Sequence, residues 1–116
     1  PIYGHAMYEL IRDSKLVVNA HIDHAGNRCT NMRVFEVTGM GTCLFNEACQ
    51  ESHAMFRPDK EIVTYTDVKD LLEKRDYYVE HDKEREAIAR RGQKRTLKDY
   101  TLEKMYRRIR PAFEEP

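Results

Sequence analysis

The chain has 116 residues, which is enough for one domain or for part of one. Charged residues make up 34% of it, and the 20 basic and 20 acidic side chains cancel. That balance argues against a general nucleic-acid or polyanion binder, because such proteins carry a basic surplus. No apolar run approaches the ~20 residues of a membrane-spanning helix, and the first residues lack the basic start and apolar stretch of a signal peptide.

The first part of the chain alternates between helical and strand patterns. Apolar residues at helical spacing, Tyr3, Met7, Leu10 and Ile11, predict a first helix. The β-branched run at 16–20 is apolar without alternation, which is typical of a parallel strand covered on both faces. A polar loop at 21–30 follows. A second helix then begins at Asn31, a good N-cap residue, and runs to about Thr38.

The middle of the chain predicts two further strands. The glycines at 39–41 end the second helix, and the run at 42–45 is typical of a buried strand. Residues 46–56 predict a short helix or an irregular segment, and 57–61 predict a turn. The run at 61–65 then predicts a third strand.

The rest of the chain predicts three helices. The first covers 66–81 with Asp67 as its N-cap. The second covers 82–95 and has acidic residues early and basic residues late, the charge order that a helix dipole favours. We interpret its late cations, Arg90, Arg91, Lys94 and Arg95, as a solvated face in the last turn; the less favoured alternative is contact with a membrane or a polyanionic acceptor. The third covers 101–109, where apolar residues recur at i, i+3, i+4 and i+7.

This order of elements predicts an α/β fold. We expect a partial Rossmann-like three-layer sandwich with a short parallel sheet of about three strands and C-terminal helices. A doubly wound domain normally begins with a strand, whereas this chain begins with a helix. We therefore expect the chain to be the second half of a larger Rossmann-like domain.

Candidate ligand-binding residues follow the first predicted strand. In open α/β sheets, ligands bind beyond the carboxyl ends of the strands, where the loop at 21–30 and the start of the next helix lie. Free N–H groups at a helix start favour a phosphate. Gly26 allows close backbone approach, Asn27 and Asn31 offer neutral donors, and Arg33 offers a cationic one.

Glu36 is the carboxylate of an otherwise mostly apolar helix. A carboxylate can accept hydrogen bonds from two neighbouring hydroxyls, so a ribose diol is one natural partner. The other interpretation is that Glu36 points to solvent or pairs with Arg33, one turn earlier. From the residues alone, the second interpretation is favoured.

The cysteines are few and have no metal-type spacing. We interpret Cys29, Cys43 and Cys49 as reduced thiols of a cytosolic protein. A zinc site built from them with His21 or His24 is the less favoured alternative. We predict neither a metal nor a cofactor.

A series of short motifs extends over most of the chain from Leu16 onward. In chain order they are Arg33, Phe35-Glu36, Gly39, Gly41, Met55-Phe56, Pro58, Lys60-Glu61, Tyr77-Tyr78, Glu84-Arg85, Gly92, Arg95, Thr101 and Met105. This series resembles the C-terminal part of bacterial group 1 glycosyltransferases with the GT-B fold. It is most similar to the branch that includes spore-maturation-type enzymes.

The resemblance implies that the chain is the part of a glycosyltransferase that binds a nucleoside diphosphate sugar as donor. It assigns Glu36 to the nucleotide ribose, and the preceding loop and helix start to the diphosphate and sugar. The predicted donor-binding residues are Glu36, Arg33, Asn31, Asn27, Gly26, His21 and Asp23. The chain departs from the family pattern at Arg28, where many relatives carry a glutamate, and in lacking a proline after Gly41.

Catalytic residues are not predicted, because the acceptor-binding domain and any general base lie outside this chain. We expect the segment alone to be inactive and to need an N-terminal glycosyltransferase domain. The acceptor would be at a peripheral membrane or would be a polysaccharide, and no nucleic acid is expected. The alternative is a non-enzymatic nucleotide-binding or protein-interaction module, and an exposed sheet edge would permit it to self-associate.

Overall fold

The computed structural model describes residues 4–20, 32–101, 103–104 and 107. In chain order, the elements of this part are α1 (Gly4–Asp13), β1 (Leu16–Asn19), α2 (Met32–Gly39), β2 (Cys43–Glu47), α3 (Gln50–Met55), β3 (Val63–Tyr65), α4 (Val68–Glu80) and α5 (Asp82–Asp99). The α/β class predicted from the sequence is confirmed. Most of the helix predicted at 101–109 lies outside the described residues.

The three strands form a parallel sheet in the order β1-β2-β3. Leu16 lies opposite Cys43, and Phe45 lies opposite Val63. The prediction that the first strand is covered on both faces is wrong at Val18, which is 44% exposed. The reason is that α4 and α5 pack mainly on β3 and β2 and leave this end of β1 uncovered within the described residues.

Helices cover both faces of the sheet, so the segment has three layers. On the first face, α1, α2 and the end of α3 bury a cluster that consists of Ile11, Val34, Val37, Leu44, Phe56 and Ile62. On the second face, α4 and the first half of α5 bury a cluster that consists of Cys43, Phe45, Val63, Tyr65, Ile88 and Ala89. Burial of each large apolar side chain contributes roughly 1.5–3 kcal/mol relative to exposure.

The turn after α2 depends on Gly41. Its φ of +78° lies in the left-handed region, and its N–H donates to the Thr38 carbonyl at 3.0 Å. Gly39, by contrast, is the last residue of the helix itself. The chain therefore turns from α2 into β2 at Gly41, as the glycine pattern predicts, but the helix is one residue longer than expected.

The last helix passes from one face of the sheet to the other. Ile88 and Ala89 of α5 pack on the second face, whereas the Thr96 hydroxyl lies 2.5 Å from the Thr38 hydroxyl of α2. Between them, Gly92 lies against the backbone of Glu61, just before β3. α5 thus crosses the amino edge of the sheet and ends four residues later than the predicted 95, at Asp99.

Two polar junctions fix the C-terminal helices. The Asp67 side chain accepts from the Asp70 N–H at 2.8 Å, which confirms the predicted N-cap of α4. Arg85 is buried and donates to the Tyr78 carbonyl at 2.8 Å, while it also contacts the Asp82 carboxylate at 2.6 Å. Arg85 therefore ties the end of α4 to the start of α5.

No helix of the described residues is both long and apolar enough to cross a bilayer.

Stability is expected to fall in acid. A hydrogen bond from Arg95 lowers the pKa of Asp99, and one from Arg85 lowers the pKa of Asp82. A carboxyl whose pKa is depressed by folding stabilises the chain above its unfolded pKa and loses that effect as the pH falls through the folded pKa. We expect the melting temperature to be steady at neutral pH and to drop below about pH 4. Thermal unfolding followed by circular dichroism measures this.

The drop should be shallower in Asp99→Asn than in the parent chain. Glu73→Gln serves as the control, because Glu73 is an exposed glutamate of α4 that makes no ion pair within the described residues. An acid profile unchanged by Asp99→Asn would contradict this assignment.

Candidate functional site

Polar side chains line the carboxyl edge of the sheet. Asn19, Asn46 and Thr64 stand side by side in register on the three strands, and all three are buried. The Asn19 amide donates to the Asn46 side-chain oxygen at 3.0 Å, and the Tyr65 hydroxyl donates to the Asn19 carbonyl at 2.9 Å. These bonds hold the strand ends in fixed positions.

The sequence analysis missed this polar row. The signal was present, because an asparagine directly follows the apolar residues of both strands, in "LVVN" and in "CLFN". Buried amides are costly unless they are hydrogen-bonded, so two of them at matching strand ends indicate a mutual contact. The row therefore defines the edge at which the connection between β1 and α2 begins.

The orientation of α2 decides where Glu36 points. Val34 and Val37 are buried in the cluster on the sheet, and Thr38 is buried against α5, so Glu36 lies on a different side of the helix. The Glu36 side chain is 20% exposed, and one of its carboxylate oxygens lies 3.3 Å from Nη1 of Arg33. The same Arg33 nitrogen donates to the Met7 sulfur at 3.0 Å. The pairing considered from the sequence thus forms, and it also ties α2 to α1.

A groove runs along α2 beside Glu36; we call it the α2 groove. Its volume is about 290 Å³, and it is lined by Tyr8, Met32, Phe35, Glu36, Gly39, Met40, Thr96, Leu97 and Tyr100. Glu36 is the one charged side chain among these described residues. Glu36 is four residues beyond Met32, about 6 Å along the helix axis. An apolar groove with one carboxylate suits a ligand that has a flat apolar part and neighbouring hydroxyls.

Two of the seven predicted donor-binding residues can be compared with the structure. Arg33 and Glu36 lie together, with a partly exposed carboxylate next to the α2 groove. The remaining five, His21, Asp23, Gly26, Asn27 and Asn31, lie outside the described residues. The donor-binding set as a whole therefore stays a prediction.

The cysteines differ from the expectation of three reduced thiols. Cys43 is free and buried in β2, where burial raises the pKa of its thiol to about 12, so it is a protonated packing residue. Cys49 is disulfide-bonded, which corrects the prediction for that residue. Sequence spacing could not reveal the pairing, since it depends on distance in space. Within the described residues, no group of three or more metal-ligating side chains is placed to hold a metal ion.

The parallel sheet with helices on both faces makes this chain an α/β, partial Rossmann-like protein. A family profile described as glycosyl transferase-like matches residues 1–110, which is nearly the whole sequence. The chain belongs to this glycosyl transferase-like family, and glycosyl transfer is the general role that the family supports. Searches of curated proteins and of solved structures gave no match.

Proposed function

We propose that the chain is the C-terminal, donor-binding segment of a bacterial, cytoplasmic GT-B glycosyltransferase. It would bind a nucleoside diphosphate sugar, whose sugar the complete enzyme transfers to an acceptor. The observation that carries the proposal is the Glu36 carboxylate, which is partly exposed, turned away from the sheet and placed at an open groove. Such a group can accept from both hydroxyls of a ribose.

Arg33 has two roles in this proposal. Its contact with Met7 and with Glu36 restricts the guanidinium to the first turn of α2. We expect this cation and the free N–H groups at the helix start to stabilise the charge that develops as the diphosphate leaves. The five predicted residues in 21–31 would complete the diphosphate and sugar contacts. The acceptor site and any general base would come from the N-terminal domain.

The substitution Glu36→Gln tests the proposal. Uridine and guanosine diphosphates and their sugars are titrated against isotopically labelled chain, and chemical shifts report binding. We expect shifts around Arg33 and Glu36, and an affinity at least about tenfold weaker in Glu36→Gln, because a hydrogen bond to a charged group contributes roughly 1.5–3 kcal/mol. The fold should remain, since a partly exposed ion pair contributes only about 0–1 kcal/mol.

Glu73→Gln is the matched control, because it removes the same charge from an exposed position on α4. Equal losses in both variants, or shifts that avoid α2, would contradict the role of Glu36. No measurable sugar transfer is expected from the isolated chain with any donor.

A second candidate function is a non-enzymatic interaction module. The observation in its favour is the place of β1 at one end of the strand order, where it pairs with β2 alone among the described strands, and Val18 on this strand is 44% exposed. An uncovered strand edge can pair with another strand, such as one from a second copy. Concentration-dependent association in analytical ultracentrifugation, together with no response to any nucleotide, would favour this candidate over the donor-binding segment.

A further inference from the structure

A second groove lies on the other side of α5 and is basic. Its volume is about 370 Å³, and it is lined by Arg57, Glu61, Arg91, Lys94, Arg95 and Lys98. We call it the basic groove. Glu61 precedes β3, so this groove lies at the amino edge of the sheet, away from the polar row at the carboxyl edge. Five cations around one carboxylate form a local surplus in a chain whose total charges cancel.

The helix dipole does not account for these cations. The sequence analysis interpreted the cations near 91–95 as the end of a helix, but α5 continues to Asp99 and only Lys98 lies in its last turn. The dipole effect falls off within that turn. The placement in the last turn is therefore wrong for Arg91, Lys94 and Arg95, which lie further upstream on the helix, although Arg91 and Lys94 are exposed to solvent as expected.

The spacing of the cations along α5 lowers the stability of this helix. Lys94 and Lys98 are four residues apart on α5, and both belong to the basic groove. Like charges at this spacing repel one another and destabilise a helix. From residue 90 to its end, α5 contains one acidic residue, Asp99, which pairs with Arg95. An anionic ligand would relieve the repulsion.

Local contacts hold part of the basic groove in place and leave part of it unbalanced. Arg95 is neutralised, because its Nε lies 3.1 Å from Glu61 and its Nη1 lies 3.0 Å from Asp99. Arg91 donates to the Lys60 carbonyl at 2.9 Å, which orients its guanidinium without cancelling its charge. The remaining three cations, Arg57, Lys94 and Lys98, form no ion pair within the described residues.

We propose that the basic groove is an anion-binding site for a multivalent phosphate group, separate from the proposed donor site. The oriented guanidinium of Arg91 offers paired N–H donors of the kind that fit phosphate oxygens, and the two exposed lysines add mobile point charges. The volume admits a group of diphosphate size or larger. The phosphate belongs either to a soluble compound or to a lipid headgroup, and these share the same recognition chemistry.

Two parallel arms test the site on the 116-residue chain. In the first arm, inorganic tripolyphosphate is titrated and amide shifts on α5 are followed. In the second arm, the chain is sedimented with vesicles of phosphatidylglycerol and with vesicles of phosphatidylcholine. Binding in the first arm identifies a soluble phosphate. Binding only to the phosphatidylglycerol vesicles identifies a lipid headgroup. Either result supports the site when the variants below behave as expected.

Lys94→Glu and Lys69→Glu form a matched pair. Both replace an exposed lysine by glutamate and change the net charge equally, but Lys69 lies at the start of α4, after the carboxyl end of β3. We expect Lys94→Glu to weaken binding about tenfold, because a charge-assisted contact becomes a repulsive one, and Lys69→Glu to leave it unchanged. Lys94→Gln should bind more weakly while melting at a higher temperature, since one like-charge pair is removed.

Three outcomes would overturn the proposal. The first is no binding in either arm, and the second is an equal loss in Lys94→Glu and Lys69→Glu, which would mean non-specific attraction. The third is a set of shifts confined to α2, which would mean that the phosphate occupies the proposed donor site instead. Circular dichroism of each variant separates these outcomes from unfolding.

Discussion

Replacement of Gly92 by alanine is expected to lower the free energy of unfolding by about 3 kcal/mol, the upper end of the usual cost of overpacking. A Cβ atom on Gly92 would overlap the backbone carbonyl oxygen of Glu61, so the backbone would have to move. Neither partner can yield easily, because α5 crosses the sheet edge at this point and Glu61 leads directly into β3. The gain in helix propensity from alanine, about 1 kcal/mol, is too small to offset the clash.

Urea unfolding followed by circular dichroism measures this loss, and Gly39→Ala provides its control. Gly39 is also helical, but a Cβ atom there would meet Thr96 Cγ2 at 3.8 Å, an ordinary contact. We expect Gly39→Ala to be neutral or to stabilise by about 0.5–1 kcal/mol. Similar changes in both variants would mean that the contact between Gly92 and Glu61 is not tight.

The path of α5 shows why sequence reasoning reached only part of the fold. Strands and helices followed from local patterns, because periodicity and caps such as Asp67 are encoded within a few residues. The crossing at Gly92 depends on a contact with Glu61, which lies 31 positions earlier, so the local sequence around Gly92 does not predict it. The exposure of Val18 was likewise missed, since it depends on which strands the last two helices cover.

The candidate site, too, has one part that the sequence predicts and another part that it does not. Arg33 and Glu36 could be paired from the sequence, because residues three apart on a helix are neighbours. The walls of the α2 groove could not be predicted from the sequence, because Tyr8 and Leu97 lie on helices at opposite ends of the chain. The basic groove was misread for a related reason: the end of α5 was placed four residues too early, so mid-helix cations were taken for terminal ones.

An aromatic cluster supports the α2 groove from within. Phe56 is buried at the end of α3, and its ring lies 6.4 Å from that of Phe35 and 5.4 Å from that of Tyr100. Phe35 and Tyr100 also contact one another at 5.4 Å, and both line the groove. The Tyr100 hydroxyl donates to the Met55 carbonyl at 2.8 Å, which fixes the end of α5 on this face. Phe56 is therefore the buried ring of this cluster, and the two groove residues Phe35 and Tyr100 pack on it.

Replacement of Phe56 by alanine should accordingly cost about 3–5 kcal/mol of unfolding free energy, because the ring leaves a cavity beneath two aromatic neighbours. Denaturant unfolding measures the loss, and near-ultraviolet circular dichroism reports the packing of the tyrosines, Tyr100 among them. Phe56→Leu is the control, since it keeps most of the apolar volume and should cost far less. If binding of a nucleotide at the α2 groove needs these walls, the alanine variant should bind more weakly even where it remains folded. An alanine variant as stable as the leucine variant would show that the cluster does not support the end of α5.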